Sequence, residues 1–463
     1  MNEQKQDTVS AISTPIGKSG IGIVRLSGPR AIEIAGEIFH SPQNIQLKQA
    51  SSHTIHYGFI KDGGEAIDEV LLSIMRAPKT YTREDIVEIN CHGGVVPLRE
   101  VLELTFEHGA RPAEPGEFTK RAFLNGRITL DQAESVREVI EAKTTFSLDL
   151  ALDRLQGRFS DFVNSLREDL TDLLAEIEVA IDFPDYEDSI VETEDLASIL
   201  LDIQREIEDF LEKSRDGKIL RQGHKVAILG KPNVGKSTLL NTLLKEDRAI
   251  VAPQPGTTRD VIEEELEIDG IPFRIMDTAG IGKPQSEVEE YGIQKAKEQG
   301  REAELSLFLV DASKELTEDD LKIAESLEPR ETILLLNKID LDRMLSKASA
   351  SLQLGENWAE ILKISAKTGL GIENLESAMT NLVWGGQIHR KEDIYLLNIR
   401  EKQLLQEAKR DINAALDSIG GGHPLDLAEL DIRSARKSLG KLLGEDLSEE
   451  VLDRIFSRFC VGK

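Results

Sequence analysis

The stretch GKPNVGKS at residues 230–237 constrains the fold of this chain more than any other feature. It follows the apolar run KVAIL and fits the pattern G-x-x-x-x-G-K-[ST], in which glycines let backbone N–H groups face a phosphate at the start of a helix. Lys236 would bridge the β- and γ-phosphates of a nucleotide, and Ser237 would ligate magnesium. The strand–loop–helix context argues against an accidental glycine-rich turn.

Four later segments follow in the order that a GTP site requires. In GTTRD (256–260), Thr258 would ligate magnesium. In DTAG (277–280), Asp277 would hold a magnesium-bound water and the N–H of Gly280 would sense the γ-phosphate. In NKID (337–340), the carboxylate of Asp340 can accept hydrogen bonds from N1–H and the 2-amino group of guanine, and SAK (365–367) would cover the base. The predicted GTP-binding residues are Asn233, Val234, Gly235, Lys236, Ser237, Thr238, Ala252, Pro253, Gln254, Pro255, Gly256, Thr257, Thr258, Asp277, Thr278, Ala279, Gly280, Asn337, Lys338, Asp340, Ser365, Ala366 and Lys367.

The residue after DTAG is Ile281, where many GTPases soon place a glutamine that orients the attacking water. Asn233 suggests another way to accelerate GTP hydrolysis, because its side-chain oxygen can coordinate a cation beside the phosphates. Backbone carbonyls of the loop AIVAPQPGTT (249–258) could coordinate the same cation. Such a cation would replace an arginine finger, a role worth about 10³–10⁵ in rate. Asn233 is equally well explained as a turn residue. A carboxylate in QSEVEEYGIQKA could orient water, and the residues alone leave Glu287, Glu289 and Glu290 open.

The pattern of apolar residues divides the chain into four stretches. Short strands and one helix up to about residue 125 indicate an α+β domain, and long amphipathic helices follow to about residue 222. Strands and helices then alternate to about residue 384, which predicts a mostly parallel sheet. Helices return from residue 395, with an interruption at GGGHP. The simplest interpretation is an α/β domain inserted into one helical domain, and two separate helical domains are the alternative.

Composition narrows the functional classes. The 463 residues carry a formal net charge of −28, which argues against a nucleic-acid coat or a membrane-surface binder, but not against RNA bound on a local basic face. Two cysteines, Cys91 and Cys460, give no disulfide framework and suit a reducing cytosol. No apolar run is long enough to cross a bilayer, and the first residues show no signal-peptide core. The expectation is a cytoplasmic protein without a membrane role.

Seven segments carry a resemblance to a known family: IGIVRLSG, EFTKRAFLNGRITLDQAE, VAIDFPDYED, GKPNVGKST, GTTRD, DTAG and FCVGK. With these segments, the chain resembles the MnmE (TrmE) family of bacterial tRNA-modification GTPases over the full length. The resemblance implies a multidomain α/β and α fold. It has an N-terminal α+β tetrahydrofolate-binding and dimerisation domain (1–125), a discontinuous helical domain (126–222 and 385–463, the second half with the CVGK motif) and an inserted Ras-like P-loop GTPase domain (223–384).

The resemblance also implies roles for individual residues. Potassium would be held by Asn233, Ala252, Gln254 and Thr257, and magnesium by Ser237 and Thr258. Glu289, in the pattern VE-x-x-GI, would orient the water, beside Lys236. In the resemblance, the folate contacts fall on Arg25, Glu88, Arg127 and Lys463. Their chemistry fits, since a carboxylate can pair with the donor edge of a pterin and basic groups suit its glutamate tail. Without the resemblance, each of the four is better explained as a surface charge. Cys460, with Arg458 and Lys463 nearby in sequence, is either a catalytic nucleophile or a small apolar residue.

Family members are potassium-stimulated GTPases that dimerise through their GTPase domains and assemble with a flavin-binding partner protein, which implies a heterotetramer. The pair adds an aminomethyl-type (carboxymethylaminomethyl) group to C5 of the wobble uridine, position 34, of certain tRNAs. The one-carbon unit comes from 5,10-methylene- or 5-formyl-tetrahydrofolate. The chain departs from the family pattern at Gly282, where many relatives have arginine, at Arg127, often lysine, and at Pro253, which should stiffen the potassium loop.

Two other classes compete with this interpretation. One is a GTP-dependent RNA-binding switch in ribosome assembly, which would carry a basic RNA-binding domain, whereas the flanks here are acidic. The other is a membrane-remodelling GTPase, for which no basic amphipathic helix is found. Detection of bound folate would separate both from the leading hypothesis.

Overall fold

The computed structural model describes residues 7–182, 193–216, 223–244, 264–276, 302–328, 331–341, 345–355, 358–383 and 395–463. The chain forms two compact units. The first consists of Met1–Arg137, Arg154–Ile203 and Glu407–Lys463, and the second of Glu138–Asp153 and Gln204–Gln406. The helical segments are shared between the two units, and the predicted four-part division of the chain stays a prediction.

A seven-stranded sheet, in the order β3-β4-β5-β6-β2-β1-β7, organises the first unit. Its strands are β1 (Val9–Ile12), β2 (Ser19–Ser27), β3 (Phe39–His40), β4 (Thr54–Asp62), β5 (Glu65–Met75), β6 (Ile86–Gly93) and β7 (Arg111–Pro112). All neighbouring pairs are antiparallel except β1 and β7. Alternate residues of the central strands, such as Leu26, Leu72 and Ile89, are fully buried against the helices on one face.

The helices α1 (Ala31–Ile38) and α2 (Val95–Glu107) cover that face, and α3 (Glu117–Leu124) follows β7. The long helical region contains α4 (Leu130–Glu141), α5 (Thr145–Leu155), α6 (Arg158–Asp182) and α7 (Thr193–Lys213). The last helices of the chain are α12 (Ile399–Gly420), which begins in the second unit, α13 (Leu425–Leu443) and α14 (Glu449–Phe456).

Helices α6 and α13 pack together although more than 240 residues of chain separate them. Arg167 donates to Glu445 at 2.6 Å and Arg436 donates to Thr171 at 2.8 Å. On α6, the buried residues Val163, Leu166, Leu170, Leu173 and Ile177 recur at three- and four-residue spacing, as an amphipathic helix requires. Helices from both ends of the helical sequence therefore pack together within the first unit.

The second unit is built on a six-stranded sheet in the order β10-β11-β9-β12-β13-β14. Its strands are β9 (His224–Leu229), β10 (Glu264–Ile268), β11 (Ile271–Ile275), β12 (Leu305–Asp311), β13 (Thr332–Asn337) and β14 (Glu360–Lys363). All pairs are parallel except β10 and β11, which confirms the predicted, mostly parallel sheet. A two-stranded pair, β8 (Ser214–Asp216) and β15 (Tyr395–Leu397), was not expected from the sequence.

Helices α8 (Lys236–Leu244), α9 (Glu318–Ala324), α10 (Lys347–Leu354) and α11 (Ile372–Val383) connect these strands, and hydrophobic clusters lie on both faces of the sheet. The chain leaves β9 towards β11 on one side and later returns to β12 on the other. In sheets of this kind, ligands bind beyond the carboxyl end of the strand at which the strand order reverses. Here that strand is β9, and residues 230–235 follow its carboxyl end.

No helix in the described ranges is long and apolar enough to cross a membrane.

Candidate functional site

The loop from Gly230 to Gly235 joins β9 to α8 and requires its glycines. Gly230 has a φ of +140°, and a Cβ there would lie 2.5 Å from the carbonyl oxygen of Leu309. Gly235 has a φ of +110°, and a Cβ there would lie 2.3 Å from Nδ2 of Asn337. Side chains at either position would therefore meet both backbone strain and a steric clash. The loop is held close to β12 and β13, with its helix N-terminus free to face an anion.

The ammonium of Lys236 is held inside this loop. Its Nζ donates to the carbonyl oxygens of Gly230 at 2.6 Å and Lys231 at 2.8 Å. Burial lowers the pKa of Lys236 to about 8. Phosphate oxygens are stronger acceptors than these carbonyls, so a nucleotide can draw the ammonium towards its phosphates.

The NKID and SAK segments lie against the phosphate loop. Asn337 donates from Nδ2 to the carbonyl of Val234 at 2.7 Å, and its Oδ1 accepts from the N–H of Ala366 at 2.9 Å. Lys338 donates to the carbonyl of Asn233 at 2.8 Å and to Asp311 at 2.7 Å. One buried asparagine therefore connects all three predicted segments.

The predicted guanine-reading carboxylate is exposed and held in place. Ser365 donates from Oγ to Oδ1 of Asp340 at 2.7 Å, and this hydrogen bond is the main reason that the pKa of Asp340 is lowered. Asp340 is therefore an ionised acceptor at neutral pH, as recognition of the two guanine donors requires. Its position after β13, beside Ser365, fits a purine seated between the NKID and SAK segments.

Sequence reasoning missed a second anchor of the phosphate loop. Lys231 Nζ lies 2.6 Å from both Asp320 Oδ2 and Thr317 Oγ1. Asp320 is buried and also accepts from the N–H of Thr317, which closes a capping box at the start of α9. The capping box could have been found from TEDD at 317–320. Its ion pair with residue 231 could not, because the two positions meet only through the fold.

The structure describes two of the predicted metal ligands, Asn233 and Ser237. Ser237 lies in the first turn of α8, and Asn233 is exposed in the loop with a φ of 65°. A hydroxyl and an amide oxygen are donors that suit hard cations such as magnesium and potassium. No group of three or more His, Cys, Asp or Glu side chains within the described ranges could hold a metal. The other residues for which the sequence predicts a role lie outside the described ranges. They are Ala252, Pro253, Gln254, Pro255, Gly256, Thr257, Thr258, Asp277, Thr278, Ala279, Gly280, Gly282 and Glu289.

A second set of predicted residues meets in the first unit. Arg25 on β2 and Glu88 on β6 are directly opposite in the sheet register, and Nη2 of Arg25 lies 2.7 Å from Oε1 of Glu88. Nη1 of Arg25 donates to the carbonyl of Gly462 at 3.3 Å, and Ser13 Oγ donates to the same carbonyl at 3.0 Å. The segment that carries Lys463 is therefore fixed beside the sheet.

Arg127 joins this set through an aromatic ring. Its guanidinium lies 4.8 Å from the ring centroid of Tyr81, and Nη1 donates to the Tyr81 carbonyl at 3.3 Å. Burial raises the pKa of Tyr81, against smaller opposing effects from Thr119, Arg127 and Arg25. Arg25 and Arg127 are thus both close enough to influence one phenol. Tyr81 was not singled out in the sequence, because an isolated tyrosine in a loop has no distinguishing pattern.

The two cysteines have different surroundings. Cys91 is buried in β6, and burial raises the pKa of its thiol to about 12, which fits the structural role expected for it. Cys460 is exposed, and its carbonyl accepts from the N–H of Gly116 at 3.3 Å. Cys460 therefore lies at the surface next to the start of α3 rather than in the core of the last helix.

Comparison with known proteins gives matches along the whole chain. A family model described as the GTP-binding protein TrmE N-terminus matches residues 8–127, and one described as the MnmE helical domain matches residues 130–460. The tRNA modification GTPase MnmE of Bacillus velezensis is 44 % identical over 464 residues, which cover 99 % of this chain and 100 % of that protein. The protein of that name from Thermoanaerobacter pseudethanolicus is 46 % identical over 459 residues, covering 99 % of each.

The chain belongs to the MnmE family. As a member of the MnmE family it is a GTPase that acts in tRNA modification, with GTP and tRNA as its substrates. The predicted fold class is confirmed as well, with the TrmE-type N-terminal part, the MnmE helical part and a GTPase sheet between them. Among solved structures, the G domain of the T. maritima FeoB iron transporter is similar to 34 % of this chain and 98 % of its own, at 26 % identity and a TM-score of 0.25.

Proposed function

We propose that this protein is a potassium-stimulated GTPase that, with a flavin-binding partner protein, adds an aminomethyl-type group to C5 of the wobble uridine of certain tRNAs. The one-carbon unit comes from a tetrahydrofolate derivative. The observation that carries the proposal is the meeting of Arg25, Glu88 and the segment before Lys463 at one end of the N-terminal sheet. Such a cluster offers a carboxylate and a guanidinium to one ligand, which the proposal takes to be the folate.

In the GTPase part, the described residues bind and orient the nucleotide. Lys236 supplies positive charge at the β- and γ-phosphates, and Asp340 selects guanine through its two donors. Ser237 and Asn233 would hold magnesium and potassium, which would supply the remaining positive charge. Glu289 would orient the attacking water in place of the missing glutamine.

In the N-terminal part, charge and shape favour a pterin with an acidic tail. The carboxylate of Glu88 can accept from the paired N–H donors of a pterin edge, and Arg25 fixes its orientation. Arg127, spread over the face of Tyr81, offers charge to the glutamate tail. The one-carbon carrier would supply the carbon that is transferred, and Cys460 lies on the neighbouring segment as a candidate nucleophile.

The GTPase half of the proposal is tested by GTP turnover of the full-length protein in potassium and in sodium at equal ionic strength. Turnover should be much faster in potassium, by about 10³ or more if the ion replaces an arginine finger. Asn233→Ala should remove the difference between the two salts, whereas Glu289→Ala should slow turnover in both. Equal rates of the wild type in both salts would rule out the potassium site.

The folate half is tested separately, by equilibrium binding of 5-formyl-tetrahydrofolate to the full-length protein. Glu88→Gln should lose most of the affinity, because the variant offers a donor where two acceptors are needed. Glu33→Gln is the matched control, since Glu33 is an exposed carboxylate of the same unit. If wild type binds no folate, the folate half of the proposal is wrong and the GTPase half is unaffected.

A homodimer is part of the proposal, and the outer face of the N-terminal sheet supports it. Ile21, Ile55, Tyr57 and Leu71 are 60 %, 67 %, 48 % and 47 % exposed. Tyr57 and Leu71 are direct cross-strand neighbours, so these side chains form part of one apolar surface. A sheet face of this kind is covered when a second copy of the chain packs on it.

A further inference from the structure

Three segments of the first unit that pack together carry four exposed arginines. Arg83 lies in the loop between β5 and β6, Arg127 between α3 and α4, Arg454 on α14 and Arg458 just after it. We call these four arginines the basic rim. Cys460, also exposed, is two residues from Arg458.

Hydrogen bonds and apolar contacts join the segments of the basic rim. Arg83 donates from Nη1 to the carbonyl of Asn125 at 2.9 Å, and Asn125 Nδ2 donates back to the carbonyl of Thr82 at 2.6 Å. The third segment joins through one hydrophobic cluster, whose members include Phe123, Ile128, Leu130, Phe456 and Phe459. The three segments that carry the four arginines therefore pack against one another.

Several carboxylates of these segments are engaged by other groups, whereas Glu449 and Glu450 are exposed in the first turn of α14. Glu84 bonds to Ser27 and Arg121, and Asp131 is fully buried against Ser160. Asp453, which is exposed, pairs with Lys120. In the described part of the chain, none of the four rim arginines forms an ion pair. The rim therefore offers four guanidinium groups to an anion on a protein whose net charge is −28.

The backbone of Arg83 is in the left-handed region, and its side chain is only partly used within the turn. Its φ is 60°, in a region that glycine adopts freely and that costs an arginine roughly 1 kcal/mol. One Nη1–H bonds to Asn125, which leaves Nε and Nη2 available. An arginine held by one hydrogen bond, with its remaining donors exposed, is well placed to bind phosphate in a fixed geometry.

We propose that the basic rim binds the sugar–phosphate backbone of the tRNA substrate and thereby brings the base to be modified to the segment that carries Cys460. A polyanion is repelled by the acidic molecule as a whole, so productive binding needs a local cationic surface, and phosphate contacts supply most of such affinity. The location rests on the proposed function, because the rim adjoins the residues assigned to folate. An acidic surface of a partner protein is the other occupant that the charge would allow.

The test is tRNA binding by the full-length protein, measured by fluorescence anisotropy over a series of potassium chloride concentrations. The double variant Arg83→Gln/Arg454→Gln spares Arg127, which is assigned to folate. It should bind tRNA about 10- to 100-fold more weakly at low salt, and the slope of log K against log salt should fall by about 2. GTP turnover and 5-formyl-tetrahydrofolate binding should remain at wild-type levels.

Arg99→Gln is the matched control, because Arg99 is an exposed arginine of the same unit that is paired with Glu100. It should change the affinity for tRNA less than twofold. Arg83→Lys, which keeps the charge, should retain most of the binding. The proposal is wrong if the double variant binds tRNA like wild type, or if Arg83→Lys is as weak as Arg83→Gln, because Arg83 would then act only as a support for Asn125. Loss of binding to the flavin-binding partner with tRNA binding intact would assign the rim to a protein interface instead.

Discussion

Lys236 shows how the burial of a single residue sets a functional property. Two backbone carbonyls hold its ammonium, and burial lowers its pKa to about 8. A bound nucleotide places phosphate charge beside the ammonium and raises its pKa again. Because binding then requires the protonated lysine, affinity for GDP should fall as pH rises above about 8, by up to tenfold per pH unit.

This pH dependence can be measured by titrating GDP between about pH 7 and about pH 9, with Lys236→Arg for comparison. Arginine stays protonated throughout this range, so the variant should bind more weakly but with little change across it. If the affinity of both proteins falls equally above pH 8, Lys236 is not the titrating group.

At the scale of residues, the sequence indicated which side chains have a chemical role better than it indicated which side chains contact each other. The glycines at 230 and 235 and the carboxylate of Asp340 follow from local patterns. The hydrogen bond of Asn337 to Val234 spans 103 residues and the ion pair of Lys231 with Asp320 spans about 90, and no local pattern carries that information.

At the scale of elements, a network of charges fastens the N-terminal sheet to α3. Arg121 is almost fully buried and pairs with Asp7 at 2.7 Å, Glu117 at 2.9 Å and Glu84 at 3.2 Å. Arg121→Met should therefore lower the free energy of unfolding of this unit by about 3–5 kcal/mol, because it leaves partly buried carboxylates without their cation. Thermal unfolding at neutral pH measures the loss. Arg30→Met, which removes an exposed pair with Glu33, should cost less than about 1 kcal/mol.

The same network should make stability depend on acid. Burial opposes ionisation of Asp7 and Glu117, but the hydrogen bonds from Arg111 and Arg121 outweigh it and lower the pKa of both carboxyl groups. Groups with lowered pKa stabilise the folded state above their ordinary values near 4 and lose this effect as pH falls through the folded-state pKa. The unfolding temperature of wild type should therefore drop more steeply below about pH 4 than that of Arg121→Met. Parallel curves would contradict this account.

Most helices and the longer strands were predictable, because each repeats its apolar period several times. The exceptions are short, and they include helices α1 and α3, of eight residues each, because the sequence predicted only one helix before residue 125. Strands β1, β7, β8 and β15 have four residues or fewer, too few for a period to stand out, and β8 pairs with a strand about 180 residues away. The antiparallel β10 was missed because its alternating acidic residues hide the two buried positions Leu266 and Ile268.

At the scale of the whole molecule, the proposed homodimer makes a direct prediction. The double variant Ile55→Asp/Leu71→Asp places two charges on the exposed sheet face and should convert the dimer to a monomer, as measured by light scattering after gel filtration. GDP binding should be retained, since these residues belong to the other unit. Leu352→Asp, at a 79 % exposed leucine on α10, is the control and should leave the mass unchanged. A monomeric wild type, or a dimeric double variant, would contradict the proposal.

The carbonyl of Gly462 has a consequence for how the protein is made. It is bound by Arg25, a residue translated 437 positions earlier. Domains fold as they leave the ribosome, the first-made part first, so the N-terminal sheet can form long before this contact is possible. A chain cut short by a premature stop codon or a protease could still contain a folded sheet and a GTPase, yet it would lack this junction. The N-terminal cluster is therefore completed only after translation has reached residue 462.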